Sequence, residues 1–382
     1  MNLHGTQPPA KTAPAKRPHG KSLMMAATSL ALVAAAVPAA AATWWDATPH
    51  VEIGSRTINV KDKGARGNGS HNDTAAIQAA IDALPDSGGT VYVPAGRYMI
   101  NAEKALRLRS HTRLKLDVDA ELKVIPNDAS RYHLIKVWHA NNVEIVGGKL
   151  TGDRARHQST RGEWGYGINI QGARNVFVHN VKLSEFWGDG MWIGAMGWGR
   201  EMTRSNGVTI NNVVSAHNRR QGLSIGPAQH VYVVNSTFKD TRGTLPQAGL
   251  DIEPQDQGSA NAIRLENNTF SGNRGNGIEL HANISDITIR NNNLVGNHGF
   301  GALAVSAPYL TIGDNHATRN GLAGVGLSGK THHSTVRDNK LQYNSTRYMS
   351  PNVSGGADNR DIQIGKSTYA ITSAGNQLTP NR

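Results

Sequence analysis

Two acidic side chains stand two residues apart in Gly-Leu-Asp-Ile-Glu-Pro, residues 249–254, and Gly-Ile-Glu-Leu-His-Ala, residues 277–282, places an acid and a histidine at the matching positions. In extended chain, alternate residues share a face. If the two segments are neighbouring strands, Asp251, Glu253, Glu279 and His281 form one patch, expected to face solvent. Strands lie about 5 Å apart and alternate residues about 7 Å apart along a strand. Glycoside hydrolysis uses two carboxyl groups, about 5–5.5 Å apart for retention of configuration and about 6.5–9.5 Å for inversion. Both spacings are available, and backbone spacing alone does not choose between them. Like charges this close raise one pKa, which a general acid requires. Asp189, in Trp-Gly-Asp-Gly, is a further acid in the same frame. The same oxygens could hold Ca²⁺, a cation that prefers several oxygen ligands; otherwise no cofactor and no metal are expected.

The element that must position these residues is a repeat. Segments led by Gly167, Gly190, Gly222, Gly249, Gly277, Gly301 and Gly324 share a glycine followed by alternating apolar residues, at intervals of 23 to 32 residues. Most are followed by a second strand-like piece ending near Asn180, Asn212, Asn235, Asn267 or Asn291. No interval holds an apolar pattern long enough for a crossover helix. The regular leucines of a leucine-rich repeat are also missing. Short strands, Gly and Asn turns and this period predict an all-β solenoid, a parallel β-helix. Its core is the first and third residues after each glycine. The second and fourth give two outward columns: Asn169, Trp192, Ser224, Asp251, Glu279, Leu303, and Gln171, Gly194, Gly226, Glu253, His281, Val305. The asparagines are predicted to stack at a turn, tolerating left-handed backbone and bonding along the column.

The chain has 382 residues, no cysteine and a formal net charge of +12. Lys11, Lys16, Arg17 and Lys21 precede an apolar, Ala-rich run ending in small residues. This reads as a signal peptide over 1–42, and without an Arg-Arg pair it favours general secretion. The protein is thus expected to be exported, periplasmic or extracellular, with no membrane association after cleavage. Removing those four bases leaves about +8, which suits an acidic partner such as a uronate polymer. Nucleic acid fits the charge but not the acidic patch. Residues 43–57 form a mature N-terminal segment, and 58–382 a single domain. Within it, Asp73 is a candidate N-cap for a helix over Thr74–Leu84 whose Ile77, Ile81 and Leu84 share a face, capping the open end of the solenoid. After about Gln342 the repeat fades into what is expected to be an irregular final coil.

The run Ile-Asn-Val-Lys-Asp-Lys-Gly-Ala-Arg-Gly-Asn-Gly through Ala-Ala-Ile-Asp-Ala-Leu, then Gly-Gly-Thr-Val-Tyr-Val-Pro-Ala-Gly-Arg-Tyr, resembles the start of the pectate-lyase-like superfamily of right-handed β-helices, in its rhamnogalacturonase/epimerase-type group. The resemblance covers most of Ile58–Leu341. It implies a right-handed parallel β-helix with an N-terminal capping helix, and polysaccharide hydrolase, lyase or epimerase chemistry. Of the polygalacturonase-type motifs, Asn-x-Asp-Gly matches in part at Asp189. The family's Asp-Asp pair is Arg220-Gln221 here, its His-Gly is Ala248-Gly249, and no Arg-x-Lys stands in register. The Tyr/His/Asp signature of secreted alginate epimerases is not evident.

Long intervals fall in the coils led by Gly190, Gly222 and Gly249, and such insertions wall grooves. They bring Arg200, Arg204, Arg219 and Arg220, with Trp187, Trp192 and Trp198; upstream lie Arg154, Arg156, Arg161, Glu163, Trp164 and Tyr166. Aromatic faces stack on sugars and Arg forks bind carboxylates. The residues thus predict a polysaccharide-degrading hydrolase on an anionic polymer. Asp251, Glu253, Glu279 and Asp189 are its catalytic acids, and Arg219, Arg220, His281, Trp192, Trp164 and Tyr166 its substrate contacts. A lyase using Arg219 or Arg220 as neutraliser, and a non-catalytic glycan-binding solenoid, are the alternatives. Sugar, linkage and oligomeric state are not encoded in these patterns.

Overall fold

The computed structural model describes residues 43–255, 258–347 and 361–379. The expected signal peptide over 1–42 lies outside them. The described chain winds as a parallel β-helix with three strand-bearing faces. One face, a twelve-stranded sheet, runs from Asn68–Asn72 to Gln377–Thr379, and twenty-two strands make up the other two. The site face runs from Leu106–Arg107 through Trp164–Gln171, Asp189–Met196, Gln221–Ile225, Leu250–Ile252 and Ile278–Leu280 to Ile362–Ile364.

The repeat register is the one the glycines set. Ile168, Met191, Leu223, Leu250, Ile278, Ala302 and Val325 stand directly above one another, and all are buried. On the twelve-stranded face Phe238 and Phe270 stack with ring centroids 5.2 Å apart. The leading glycines are needed for closeness rather than for an unusual φ. A Cβ on Gly249 would stand 2.7 Å from the carbonyl oxygen of Gly277 and 2.8 Å from the Asn273 amide. At Gly167, Gly222, Gly277 and Gly301 too, the obstacle is the next glycine's carbonyl.

Asparagines organise the turns, with one correction. Asn180, Asn212, Asn235, Asn267 and Asn291 do take left-handed backbone, φ between +50° and +56°. The continuous amide ladder, however, belongs to the next residue: Asn268 donates to Asn292 at 3.1 Å, Asn292 to Asn315 at 3.0 Å and Asn315 to Asn339 at 2.9 Å. A second buried ladder runs Asn273, Asn297, Asn320, Asn344. Each rung also bonds a backbone N–H and a backbone carbonyl of adjacent coils, as Asn297 does with the Asn273 amide and Phe270 oxygen. Buried turn backbone is thereby satisfied.

The capping helix spans Thr74–Asp82, with Ile77, Ile81 and the following Leu84 buried in the core. Asp73 does not cap it through its side chain. Its carboxylate instead accepts from the backbone N–H groups of Arg66 and Gly67, at 2.7 and 3.1 Å, and so closes the Gly-rich turn. The described strands after the repeat keep its register, Val325, Gly326 and Leu327 pairing with Ile362, Gln363 and Ile364; residues 348–360 of the expected irregular coil lie outside the described residues.

Residues 43–55 form a strap across the outside of many coils. The Arg264 guanidinium lies 4.6 Å from the Trp45 ring. Farther along, carbonyls of Ala47, His50 and Glu52 bond side chains of Asn211, Asn175 and His111.

Gly249→Ala is expected to destabilise the protein by about 1–3 kcal/mol, the usual cost of overpacking. Gly313→Ala, where the nearest atom would stand at an ordinary 3.4 Å, is expected to change stability far less. Paired denaturant titrations measure the difference.

Candidate active site

On the site face, Asn169, Trp192, Ser224, Asp251 and Glu279 stand side by side on successive strands. The predicted column is therefore real, but its acids are not simply solvent-facing. Asp251 is only 2% exposed, Glu279 14% and His281 28% along their side chains. The roof comes from the long intervals. Ala195 and Met196 pair antiparallel with Arg204 and Thr203, raising a hairpin that carries the exposed Trp198. Arg204 then reaches Ser259, Asn261 and Gln229, fastening the opposite loop. Between them lies a cleft of about 440 Å³ lined by Trp164, Tyr166, Trp192, Arg220, Asp251 and Glu253, among others. Its floor is flat because Trp192 lies across two glycines, Gly194 and Gly226, where any side chain would meet the indole.

Asp251 is held in one pose. The Ala248 N–H donates to Gln221 Oε1 at 3.1 Å, which turns the Gln221 amide so that Nε2 donates to Asp251 Oδ2 at 2.9 Å. The other oxygen, Oδ1, has no hydrogen-bond donor and faces His281 Nε2 at 3.5 Å. Burial, then the Glu279 charge, pushes the Asp251 carboxyl well above the ordinary carboxylate range. Glu279 is anchored by Asn276, which donates at 2.9 Å, and by His281 at 3.2 Å. That hydrogen bond raises the His281 pKa against the opposing effect of burial. One ligand-type atom each of Asp251, Glu253 and His281 fall within 4.8 Å of one another.

Asp189 lies beneath the same floor, fully buried. Arg220 Nη1 and Ser224 Oγ donate to its Oδ2 at 2.9 and 2.8 Å, and its Oδ1 has no partner. Burial outweighs the neighbouring cation and lifts its pKa to about 6. Arg220 is tied down by the same pair, and the Asp189 charge raises its pKa further. Tyr166 stacks on His133, ring centroids 5.5 Å apart, and keeps its hydroxyl proton because burial raises its pKa. Trp164 forms a wall, with the Arg131 guanidinium 5.0 Å from its ring.

Two predicted substrate contacts, Arg219 and His281, are not among the residues lining the cleft; His281 stands against Asp251 and Glu279 instead. Arg219 lies 3.8 Å from the Trp187 ring and donates to the Gly162 carbonyl at 2.9 Å. It fastens the loop before Trp164 and does not line the cleft. Two residues that shape the site, Asn276 and the neutral His133, carry no motif or column signal, whereas Ser224 stands in the outward column and Gln221 just ahead of the leading Gly222. His133 lies on Arg131–Trp138, a strand with no glycine lead.

Chemically, the arrangement offers a carboxyl with a raised pKa, Asp251, beside a second acid, Glu253, in a walled and aromatic cleft. The trio Asp251, Glu253 and His281 is also the cluster that could take a divalent cation, as three ligands.

Residues 57–303 match the family described as Rhamnogalacturonase A/epimerase, pectate lyase-like, and residues 246–381 match a right-handed β-helix region. YclG of Bacillus subtilis is 29% identical over 311 residues, 71% of this chain and 52% of that protein. The chain spans about half the length, or less, of the curated relatives it matches. Among solved structures, the A-module of Azotobacter vinelandii mannuronan C-5 epimerase AlgE6 superposes with a TM-score of 0.61 at 21% identity, covering 85% of this chain and 100% of the module. PfbA, a surface adhesin of Streptococcus pneumoniae, gives 0.65 at 19% identity, covering 85% and 90%. These likenesses show the fold, and catalytic and adhesive proteins share it. By the match across its repeat, the chain belongs to the rhamnogalacturonase A/epimerase, pectate-lyase-like family of right-handed parallel β-helices.

Proposed function

We propose that the protein is an exported glycoside hydrolase of polysaccharides, with Asp251 as general acid and Glu253 as its partner carboxylate. The observation that carries this is the Asp251 carboxyl, buried in the lining of the cleft, oriented by Gln221, without a hydrogen-bond donor on Oδ1, and with its pKa pushed up by burial and then by the Glu279 charge. A group that must give a proton to a leaving oxygen near neutral pH needs a pKa raised in this way. The spacing of Asp251 and Glu253, one oxygen of each within 4.8 Å, is nearer the retaining than the inverting range. It supports nucleophilic attack by Glu253 and retention of anomeric configuration. Glu279 and Asn276 position His281, whose Nε2 lies 3.5 Å from Asp251 and 3.2 Å from Glu279. Asp189 holds Arg220 beneath the aromatic floor.

Elimination from a uronate requires a cation free to neutralise the sugar carboxylate beside the scissile bond. Arg220 is committed to Asp189 and Arg219 to the Gly162 carbonyl, so neither stands free as the neutraliser expected of it. The trio of Asp251, Glu253 and His281 is read as a proton-handling group, with His281 hydrogen-bonded to Glu279 at 3.2 Å. Among the described residues no helix is long and apolar enough to cross a membrane. Export rests on the leader pattern in residues 1–42.

On a polysaccharide that the wild type shortens with a gain of water in product mass, Asp251→Asn and Glu253→Gln are each expected to lower kcat by about 10²–10⁴-fold. Full activity of Asp251→Asn with an intact fold rejects the assignment, and an unsaturated product absorbing in the ultraviolet identifies a lyase instead. Prior treatment with EDTA is expected to leave the wild-type rate unchanged. The raised Asp251 pKa also has a sign in stability. The folded state holds this proton more tightly than the unfolded chain, so stability is highest below the ordinary carboxylate pKa and falls as pH climbs toward the raised value. Asp251→Asn is therefore expected to raise Tm at pH 8 and to have little effect at pH 4, measured by calorimetry.

A further inference from the structure

A pair of histidines stands on the late coils, away from the cleft. His332 and His333 open the strand His332–Arg337, two coils beyond the one that carries Glu279 and His281. Successive residues of an extended strand point to opposite faces. His333 instead takes left-handed backbone, φ +48°, as Tyr309 does in the coil before and Ala370 in the coil after. The alternation is lost at this corner, and the two imidazoles meet, ring centroids 5.0 Å apart and planes at 85°. Their Nδ1 atoms face each other at 2.8 Å.

Each ring is steadied by a tyrosine from a neighbouring coil. Tyr369 pairs with His332 in register and stacks on it, centroids 4.7 Å apart, and Tyr309 stacks on His333 at 5.4 Å. The backbone supports both tyrosines. The Tyr309 N–H donates to the His332 carbonyl at 3.1 Å, and the Tyr369 N–H to that of Thr331 at 3.3 Å. The pair is therefore oriented before any ligand arrives. His333, Tyr309 and Tyr369 are exposed, the two tyrosines by 54% and 53%, so solvent reaches the pair.

The donor set is narrow. Among the described residues no third histidine or carboxylate joins these two nitrogens. With one ring protonated at Nδ1, the pair makes a single N–H···N bond, and such a bond between neutral groups contributes little net stability. With both protons on Nε2, two lone pairs converge on one point, the arrangement a metal requires. Metal–nitrogen bonds of about 2.0 Å meeting at a right angle put the nitrogens about 2.8 Å apart, whereas a tetrahedral angle puts them about 3.3 Å apart. The spacing thus matches adjacent corners of a square. Square-planar and tetragonal nitrogen sites suit Cu²⁺ and Ni²⁺, of which Cu²⁺ binds more tightly. Hard cations such as Ca²⁺ prefer oxygen.

We infer that His332 and His333 form a surface site for Cu²⁺, held through both Nδ1 atoms as adjacent ligands, with the other corners of the square open to water. The site uses none of the cleft residues and does not depend on the hydrolase proposal.

The probe is Cu²⁺ alone, titrated by calorimetry into the full chain with glycine as competitor, so that only the tightest site fills. Electron paramagnetic resonance at one equivalent is expected to show a tetragonal Cu²⁺ with two imidazole nitrogens. His332→Gln and His333→Gln, each checked for an unchanged Tm, are expected to weaken that first equivalent at least about tenfold, since even a group that only orients a metal ligand is worth that much. His281→Gln, at the acidic trio, is expected to bind Cu²⁺ as the wild type does. Zn²⁺ is expected to bind at least about tenfold more weakly than Cu²⁺, and excess Ca²⁺ to displace neither. A first equivalent that survives in both His332→Gln and His333→Gln, or that is lost in His281→Gln, overturns the site.

Discussion

Each coil of this solenoid must let the next one's carbonyl stand where a side chain's first carbon would be. At Gly249 that clearance is set by the Gly277 oxygen, and the same relation repeats along the column. The close approach locks the site-face strands into one register, and register decides everything built on them. A slip of one residue would turn Asp251 and Glu279 into the core and bring Leu250 and Ile278 outward. The glycine column, which carries no chemistry, therefore holds the chemistry in place. The asparagine ladders do the same work at the turns, where backbone is buried and water is not available to it.

The candidate site adds a second layer that the register alone does not supply. Side chains on the outer surface of a β-helix normally meet water, and an acid there keeps an ordinary pKa. Here the hairpin bearing Trp198 and the loop fastened by Arg204 cover the column, so a surface position acquires the dielectric of an interior. Asp251 and Asp189 both respond upward, for the same first cause and with different partners. Each leaves Oδ1 without a hydrogen-bond donor, but the Oδ2 of Asp189 is answered by a cation and a hydroxyl and that of Asp251 by a neutral amide alone.

Much of this was legible from the glycine spacing. The order Asn169, Trp192, Ser224, Asp251, Glu279 follows from it without coordinates. Burial of Asp251 was not legible, because insertions that interrupt a period carry no instruction about where they fold back. Arg219 and Arg220 are adjacent in sequence and face different tasks, since alternation at a strand start sends one to Asp189 and the other to the Gly162 carbonyl. The asparagine ladder was missed by one place for a similar reason. Asn267-Asn268 and Asn291-Asn292 are doublets in which the first residue makes the bend and the second turns inward. His133 went unseen because the strand Arg131–Trp138 lacks the leading glycine that marks its neighbours.

The strap over residues 43–55 imposes an order of events. Trp45 rests against Arg264, more than two hundred residues later in the chain, while Glu52 rests near the first coils at His111. A solenoid grows by adding one turn to the last, but this segment, synthesised ahead of every turn, finds its full seat only after about two-thirds of them exist. It then bridges coils that otherwise touch only their neighbours, so the array melts less like a stack of separable units and more like a single body.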